Sequence, residues 1–390
     1  MNICMVSDFF DIPYGGSTIS TKRFADRLIK RGNKVVILTT KPSMIKKDVE
    51  RRGNLIIYRF PSFPVPFTKK KNYFCYPVLP QKIQKIFKKE RIDIIHICLV
   101  PSILSLECMF MARFMGLPIV ATHHVLAESF SMNLPLVPKK TFNTFFYKMV
   151  NEYYNHFNLV IGPCRYTKKI LKQYGLKTKA IVISNGINLS EFNPKMESKK
   201  FLQAFNLKDE DPKILFIGRL SKEKGVEFLI DAFVHVLKRI PDAKLIIVGT
   251  GFLENKIKQE VNEMNLRKNI IITGFISDKM LKEIYASSNV FVLPSSAEFQ
   301  PLVLLEAIAM GLPVIGTKIT GIPELVINNF NGFTFEHKNS KDLVNKIIKI
   351  LTDKNLQKKF SRNSLILSKK HDIKKSIDKL EKVYLKLINS

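Results

Sequence analysis

Two carboxylates, Glu298 and Glu306, stand eight residues apart in the run Pro294-Ser-Ser-Ala-Glu-Phe-Gln-Pro-Leu-Val-Leu-Leu-Glu306. An apolar run, Val290–Leu293, feeds a polar loop and then a helix. Pro301 is expected as the first helical residue, because proline's fixed φ and missing N–H suit that position. Glu298 then lies just ahead of the helix, near its positive end, and Glu306 lies within it on the face of Leu302. Unpaired N–H groups at a helix start favour phosphate. Carboxylates beside a phosphate can accept hydrogen bonds from sugar hydroxyls. The same spacing also suits a buried glutamate that caps or salt-bridges a helix, and spacing alone leaves both readings open.

A second constellation is Phe216-Ile-Gly-Arg-Leu-Ser-Lys-Glu-Lys-Gly225. Arg219 falls at the carboxyl end of a strand, and Lys224 follows just before a helix. A rigid guanidinium fork and a mobile ammonium can together neutralise a diphosphate, bound or departing. Exposed cations in an ordinary loop are the plainer alternative, and the two glutamates downstream favour the chemical one. Val248-Gly-Thr-Gly251 suits a phosphate loop or a tight turn equally. Gly15 and Gly16 could let the backbone approach a substrate, or merely turn the chain. His123 and His124 end another strand, with Glu128 four residues on. A neutral His124 could hydrogen-bond a sugar hydroxyl or carry a proton. No second cluster completes a metal site, so no metal is expected.

These residues need a scaffold that brings strand ends together. Strand patterns fall at Asn2–Ser7, Lys34–Thr39, Leu55–Arg59, Ile94–Ile97, Pro118–Ala121, Leu159–Gly162 and Ala180–Ser184. They recur at Lys213–Ile217, Lys244–Val248, Ile270–Thr273, Val290–Leu293 and Val314–Gly316. Helical patterns include Thr18–Lys30, Ser102–Phe114, 225–239, 254–264, 278–286, 301–310 and 340–352. This alternation specifies an α/β chain of two doubly wound, Rossmann-like domains, with ligands outside the carboxyl ends of the strands and a cleft between facing edges. The expected boundaries are an N-terminal domain over 1–190, a linker over 191–211, a second domain over 212–365 and a helical tail over 366–390.

A chain of 390 residues with 46% hydrophobic residues can fill two cores. Its five widely spaced cysteines fit a reducing cytoplasm better than a disulfide framework. The start reads as a strand with no signal-peptide pattern. The apolar stretch from Ile94 to Val120 is broken by Pro101, Glu107, Arg113 and Gly116, so it reads as strand, helix and strand. The net charge is +30. Residues 1–190 hold 30 basic and 10 acidic residues, a net +20. Such a field attracts anionic lipid, nucleic acid or nucleotides, although a lysine-rich composition alone would also produce it.

At these residues the sequence resembles the GT-B fold glycosyltransferases of the large retaining family four, over nearly its whole length. The resemblance is carried by Gly218-Arg-Leu-Ser-Lys-Glu-Lys-Gly225, by Glu298 to Glu306 with Ala307-Ile-Ala-Met-Gly-Leu-Pro-Val314, and by Ile183-Ser-Asn-Gly-Ile187. It implies that Arg219 and Lys224 bind a donor diphosphate and that Glu306 holds the nucleotide ribose. Glu298 would contact the transferred sugar, with backbone N–H groups around Gln300, Pro301 and Leu302 nearby. Gly16 would lie by the diphosphate and His124 would face the reaction centre. The implied donor is a UDP- or GDP-hexose, with no cofactor. Where the family commonly has Glu-Gly-Phe-Gly, this chain has Glu298-Phe-Gln-Pro301, which leaves donor identity open.

The segment Arg59-Phe-Pro-Ser-Phe-Pro-Val-Pro-Phe and the run His124-Val-Leu-Ala-Glu128 are similar to members that glycosylate diacylglycerol or phosphatidylinositol. Lys69, Lys70, Lys71 and a basic amphipathic helix over 79–89 are expected to meet an anionic membrane surface. In that helix Ile83, Ile86 and Phe87 form one side. The aromatic residues of 141–157 fit a core helix better than a surface. The resulting expectation is a cytoplasmic enzyme, peripheral at the inner face of the cell membrane, that makes a glycolipid. A soluble sugar or polysaccharide precursor is the alternative acceptor. A basic nucleic-acid-binding protein is the alternative of another class, but no recognition motif supports it and no nucleic acid is expected.

Overall fold

All the apolar runs read as strands pair as strands. The computed structural model describes residues 1–10, 15–42, 45–64, 73–98, 101–131, 137–194 and 199–390. They form two compact units, one of Met1–Asn185 with Lys374–Ser390 and one of Gly186–Ile373.

The first unit begins with β1 (Asn2–Val6), α1 (Gly16–Lys30), β2 (Lys34–Lys41), β3 (Val49–Arg52), β4 (Leu55–Pro64) and β5 (Tyr73–Cys75). It continues through α2 (Pro80–Glu90), β6 (Ile94–Ile97), α3 (Ile103–Phe114), β7 (Ile119–Thr122), α4 (Ala127–Ser131) and α5 (Lys139–Tyr154). Next come β8 (Leu159–Gly162), α6 (Arg165–Gln173) and β9 (Ala180–Val182). Among the described residues the sheet runs β3-β4-β2-β1-β6-β7-β8-β9, with β5 paired to β4. All these pairings are parallel except β3 and β5 on β4. The central strands are buried along their length, as a parallel sheet covered on both faces requires.

The second unit holds α7 (Lys199–Ala204), β10 (Lys213–Ile217), α8 (Val226–Leu237), β11 (Lys244–Val248), α9 (Glu254–Glu263) and β12 (Ile270–Gly274). Then follow α10 (Asp278–Ser287), β13 (Val290–Leu293), α11 (Leu302–Ala309), β14 (Val314–Thr317), β15 (Gly332–Phe335), α12 (Ser340–Thr352) and α13 (Lys354–Ser368). Its sheet is ordered β12-β11-β10-β13-β14-β15, all parallel, so chain order reverses between β10 and β13.

The division of the chain differs from the sequence expectation at two places. Residues within 191–211, expected as a linker, join the second unit's core through Phe192, Phe201, Leu202 and Leu207. The Phe201 N–H donates to Glu283 at 2.9 Å. The C-terminal helix α14 (Ile373–Ile388) is no free tail. It returns to the first unit and buries Ile377, Leu380 and Tyr384 completely. Tyr384 Oη lies 2.5 Å from His96 Nδ1, and His96 Nε2 lies 2.6 Å from Thr122 Oγ1. Arg31 pairs with Asp378 at 2.6 Å and Glu381 at 2.7 Å. The return starts where Ile373 N–H donates to Ile187 O at 3.0 Å and Ile187 N–H donates to His371 O at 2.8 Å.

Deleting residues 374–390 is therefore expected to loosen the unit built on β1–β9 and to spare β10–β15. Hydrogen exchange read by mass spectrometry checks this. Equal loss of protection in both sheets would contradict it.

Candidate active site

In a doubly wound sheet, ligands bind beyond the carboxyl ends of the strands where chain order reverses. In the second unit that point lies between β10 and β13, and the loops leaving these strands carry Arg219, Lys224 and Glu298. Lys224 Nζ forms an ion pair and hydrogen bond with Glu298 Oε1, with both side chains largely shielded from solvent. Two further contacts fasten the same loops. Ser296 donates its backbone N–H to Glu223 O at 2.8 Å and its hydroxyl to the same oxygen at 3.1 Å. Gly225 has φ +69°, and a Cβ there would stand 2.6 Å from Pro294 O. The approach therefore needs glycine twice over, for the left-handed backbone and for space.

Arg219 is held less firmly. Its guanidinium lies 3.6 Å from Glu223, and its side chain is 65% exposed. Glu223 is itself fixed by the Ser221 hydroxyl at 2.6 Å. The loop after β14 pins Glu298 from the other side. Glu298 N–H donates to Thr320 Oγ1 at 3.1 Å, and Gly321 N–H donates to Glu298 O at 2.9 Å. Gln300 and Leu302 are buried at the start of α11. Pro301 is the N-cap, with ψ 126°, and not the first helical residue; the helix starts at Leu302. Glu306 is buried on the second turn, where the Tyr285 hydroxyl donates to it at 3.2 Å. The strand-end loops thus gather Arg219, Lys224 and Glu298, with Gln300, Pro301, Leu302 and Glu306 on the segment that follows.

The carboxyl edge continues across β11 and β12. Gly249 N–H donates to Gly274 O at 3.0 Å, and a Cβ on Gly249 would stand 2.0 Å from Gly218 O. The loops beyond these strands expose Phe252 and Phe275. From β12 to β13 is three strand spacings, about 14 Å. An aromatic ring at one end and a cation–carboxylate pair at the other suit an elongated ligand with a flat base and a charged middle. Sequence reading passed over both phenylalanines, because a lone Phe after a strand reads as core.

In the first unit, Gly16 opens α1, with Gly15 as its N-cap. His124 is half-buried just beyond β7. Burial pulls its pKa down to about 4, so it is neutral at ordinary pH. His123 is fully buried, with Nδ1 3.1 Å from Tyr154 Oη. Glu128 accepts from the Tyr147 hydroxyl at 2.8 Å. The reversal of chain order here lies between β1 and β6, and sequence reading missed the residue that occupies it. Asp8 is buried just past β1, accepts from the Ser102 hydroxyl at 3.0 Å, and has its pKa raised to about 6 by burial against the opposing effect of that bond. Its one sequence signal is an acidic residue directly beyond a strand.

The expected membrane segment divides. Lys69, Lys70 and Lys71 lie outside the described residues. In α2, Ile83, Ile86 and Phe87 are buried in the unit, so the helix has no apolar face to offer a bilayer, while Lys82, Lys85, Lys88 and Lys89 stay exposed. Amphipathicity here reflects packing on the sheet. No helix among the described residues is long and apolar enough to cross a membrane. Among them, no group of three or more His, Cys, Asp or Glu is arranged to hold a metal ion, and all five cysteines are free and buried.

Two family models match the chain: Glycosyl transferases group 1 over residues 197–365, and Glycosyltransferase Family 4 over residues 14–191. The chain is 30% identical over 314 residues to the UDP-Gal:alpha-D-GlcNAc-diphosphoundecaprenol alpha-1,3-galactosyltransferase of Escherichia coli, covering 78% of each protein. It is 28% identical over 323 residues to the Alpha-monoglucosyldiacylglycerol synthase of Streptococcus pneumoniae, covering 81% of this chain and 70% of that one. Among solved structures, sucrose-phosphate synthase from Thermosynechococcus elongatus superposes with a TM-score of 0.80 at 21% identity, over 100% of this chain and 99% of that one. That likeness shows a shared fold.

The buried histidines make stability depend on pH. Burial, with the neighbouring His124, lowers the pKa of His96 and His123 to about 3, and burial alone lowers that of His124 to about 4, from an ordinary 6.5. Between pH 6.5 and about 4 the unfolded chain binds more protons at these groups, so stability falls as pH falls through that window. Asp8, raised from 3.8 to about 6, and Glu107, also raised by burial, act oppositely, but they are two groups against four once His337, lowered by burial and then by Lys338, is counted. Thermal unfolding is expected at a lower midpoint at pH 5 than at pH 7; a higher midpoint at pH 5 would contradict this.

Proposed function

We propose that this chain, which belongs to the group 1 and family 4 glycosyltransferases and is a hexosyltransferase, moves a hexose from a UDP- or GDP-linked donor to a membrane lipid. The acceptor is of diacylglycerol or phosphatidylinositol type, and the anomeric configuration is retained. One observation carries the donor half of this reading, the Lys224–Glu298 pair beside Arg219 where chain order reverses.

Each residue then has a task. Arg219 and Lys224 neutralise the diphosphate, and their charge matters most as the leaving group gains negative charge. Glu298 accepts hydrogen bonds from the hexose hydroxyls and Glu306 from the ribose. Backbone N–H groups at Gln300 and Leu302 face the phosphates at the start of α11, where Pro301 supplies none. Phe252 or Phe275 offers the base a stacking surface. Gly16 lets α1 begin without a side chain in the way of a phosphate, and a neutral His124 exchanges a hydrogen bond with a hydroxyl. In the transfer, the acceptor oxygen bonds to the anomeric carbon while the bond from that carbon to the phosphate oxygen breaks. The acceptor proton passes to the departing phosphate, so no protein nucleophile is needed. The donor supplies the reactive bond, and no separate cofactor enters the scheme.

The lipid acceptor rests on similarity to a protein named for monoglucosyldiacylglycerol synthesis and on the +30 charge, which favours an anionic membrane. The enzyme would then work peripherally, at the cytoplasmic face. A polysaccharide precursor is the second reading, favoured by the relative named for transfer onto a diphosphoundecaprenol-linked sugar.

Lys224→Ala removes a charge-assisted contact of about 1.5–3 kcal/mol, so donor affinity should fall about tenfold or more. Calorimetry with UDP-glucose and GDP-mannose checks this, and an unchanged affinity for the donor that binds would contradict the assignment. For the acceptor, mass spectrometry of reactions supplied with diacylglycerol and phosphatidylinositol vesicles should find a hexosylated lipid. Products confined to water-soluble sugars would reject the lipid half alone.

A further inference from the structure

Two helices on the first unit's sheet expose apolar rows where a surface helix ordinarily turns polar residues outward. Strands β6, β7 and β8 are adjacent and parallel in that order. Right-handed crossovers through α3 and α5 therefore place both helices on the same face of the sheet. They lie side by side, since Arg113 at the end of α3 donates to His156 O, just past α5, at 3.0 Å. The inner side of each is buried. On the outer side of α3, Phe110 is 65% and Phe114 76% exposed, with Ile103 seven residues before Phe110 on the same face. On the outer side of α5, Phe145 is 67% exposed and Met149 follows one turn later, also exposed. Phe130 of α4 is exposed as well and contacts Phe146 of α5, with ring centroids 5.7 Å apart. Clustered exposure of this kind marks an interaction surface.

The charges around the rows select the occupant. Exposed charged residues of α3 and α5 are Arg113, Lys139, Lys140 and Lys148 against Glu152 alone. The four exposed lysines of α2 lie on the neighbouring helix of this layer. A second copy on a twofold axis would set this basic rim against itself. An anionic bilayer instead offers hydrocarbon to the aromatic rings and phosphate to the lysines. Both helices start at the carboxyl edge of the sheet, the edge that carries Asp8 and His124; Lys139 and Lys140 lie at that end of α5, whereas Phe110 and Phe114 lie on the last turns of α3, toward the opposite edge.

We propose that the outer face of α3 and α5 docks the first unit on an anionic bilayer, with Phe110, Phe114, Phe145 and Met149 at the boundary of head groups and acyl chains and the lysines on the lipid phosphates. The proposal rests on the lipid-acceptor reading above and gives it a location different from the one the sequence indicated in 69–71 and 79–89. It differs from a simple electrostatic film in needing the aromatic residues as well as the charge.

The test is sedimentation of the full chain with vesicles of phosphatidylcholine alone and of phosphatidylcholine with phosphatidylglycerol. The wild type should pellet with the anionic vesicles. The pair Phe110→Ser with Phe114→Ser, and the pair Phe145→Ser with Met149→Ser, should each weaken binding about tenfold or more, and Lys139→Glu with Lys140→Glu should do the same most strongly at low salt. Donor binding by calorimetry should be unchanged in all of them, which shows that the chain still folds. Wild-type or undiminished variant binding that ignores these changes overturns the proposal. So does a wild-type dimer by analytical ultracentrifugation that the aromatic pairs convert to monomer while anionic vesicles pellet neither form. Loss of docking with no hexosylated lipid from any variant or the wild type would reject the lipid acceptor and leave the docking face standing; lipid product with docking unaltered by the variants would do the reverse.

Discussion

The ion pair between Lys224 and Glu298 closes a gap of 74 residues in sequence. Everything assigned to the donor depends on it. A cation and a carboxylate that are both largely withdrawn from water compensate each other, and removing one leaves the other without its partner. The pair therefore fixes the spacing of two loops that leave neighbouring strands. The backbone reinforces it, through the Ser296 contacts to Glu223 O and the close approach of Gly225 to Pro294. A third loop, through Thr320 and Gly321, keeps Glu298 from following any other partner with its backbone.

In the proposed reading such an arrangement can receive an anion. Lys224 carries three donors, and a diphosphate arriving beside Arg219 can take some of them while Glu298 turns its free acceptor positions toward sugar hydroxyls. Arg219 is the exposed member, with its guanidinium 3.6 Å from Glu223. In the proposed reading the shielded Glu298 would serve the sugar, and Lys224 with the exposed Arg219 would serve the phosphates. Across the same edge, Gly249 lies close against Gly218 and donates its N–H to Gly274 O, joining three strand ends in one shelf.

Much of this was legible in the sequence because strand ends and glycines announce themselves. Arg219, Lys224, Glu298 and Glu306 follow apolar runs of strand length, and the family's motifs coincide with them. The parallel α/β architecture follows from alternation. What remained hidden depended on where a side chain points. Ile83, Ile86 and Phe87 form an apolar side that suits a sheet as well as a bilayer, and only packing shows that the sheet has it. Phe145 and Phe146 are neighbours in one aromatic run, yet one is exposed and the other buried. Asp8 looks like any acidic residue after a strand until Ser102, from far along the chain, is seen beside it. The return of α14 to the first unit rests on Tyr384 reaching His96, a pairing across 288 residues that no local pattern encodes.

The central claim is that one shelf of strand-end loops, clasped by Lys224 and Glu298, receives the diphosphate and the hexose of a single donor. A crystal structure of the protein with an intact nucleotide-hexose tests it most directly. The account predicts the diphosphate against Arg219 and Lys224, with a Glu298 carboxylate oxygen on a hexose hydroxyl. A donor bound elsewhere, with Lys224 and Glu298 still paired and untouched by it, would contradict it.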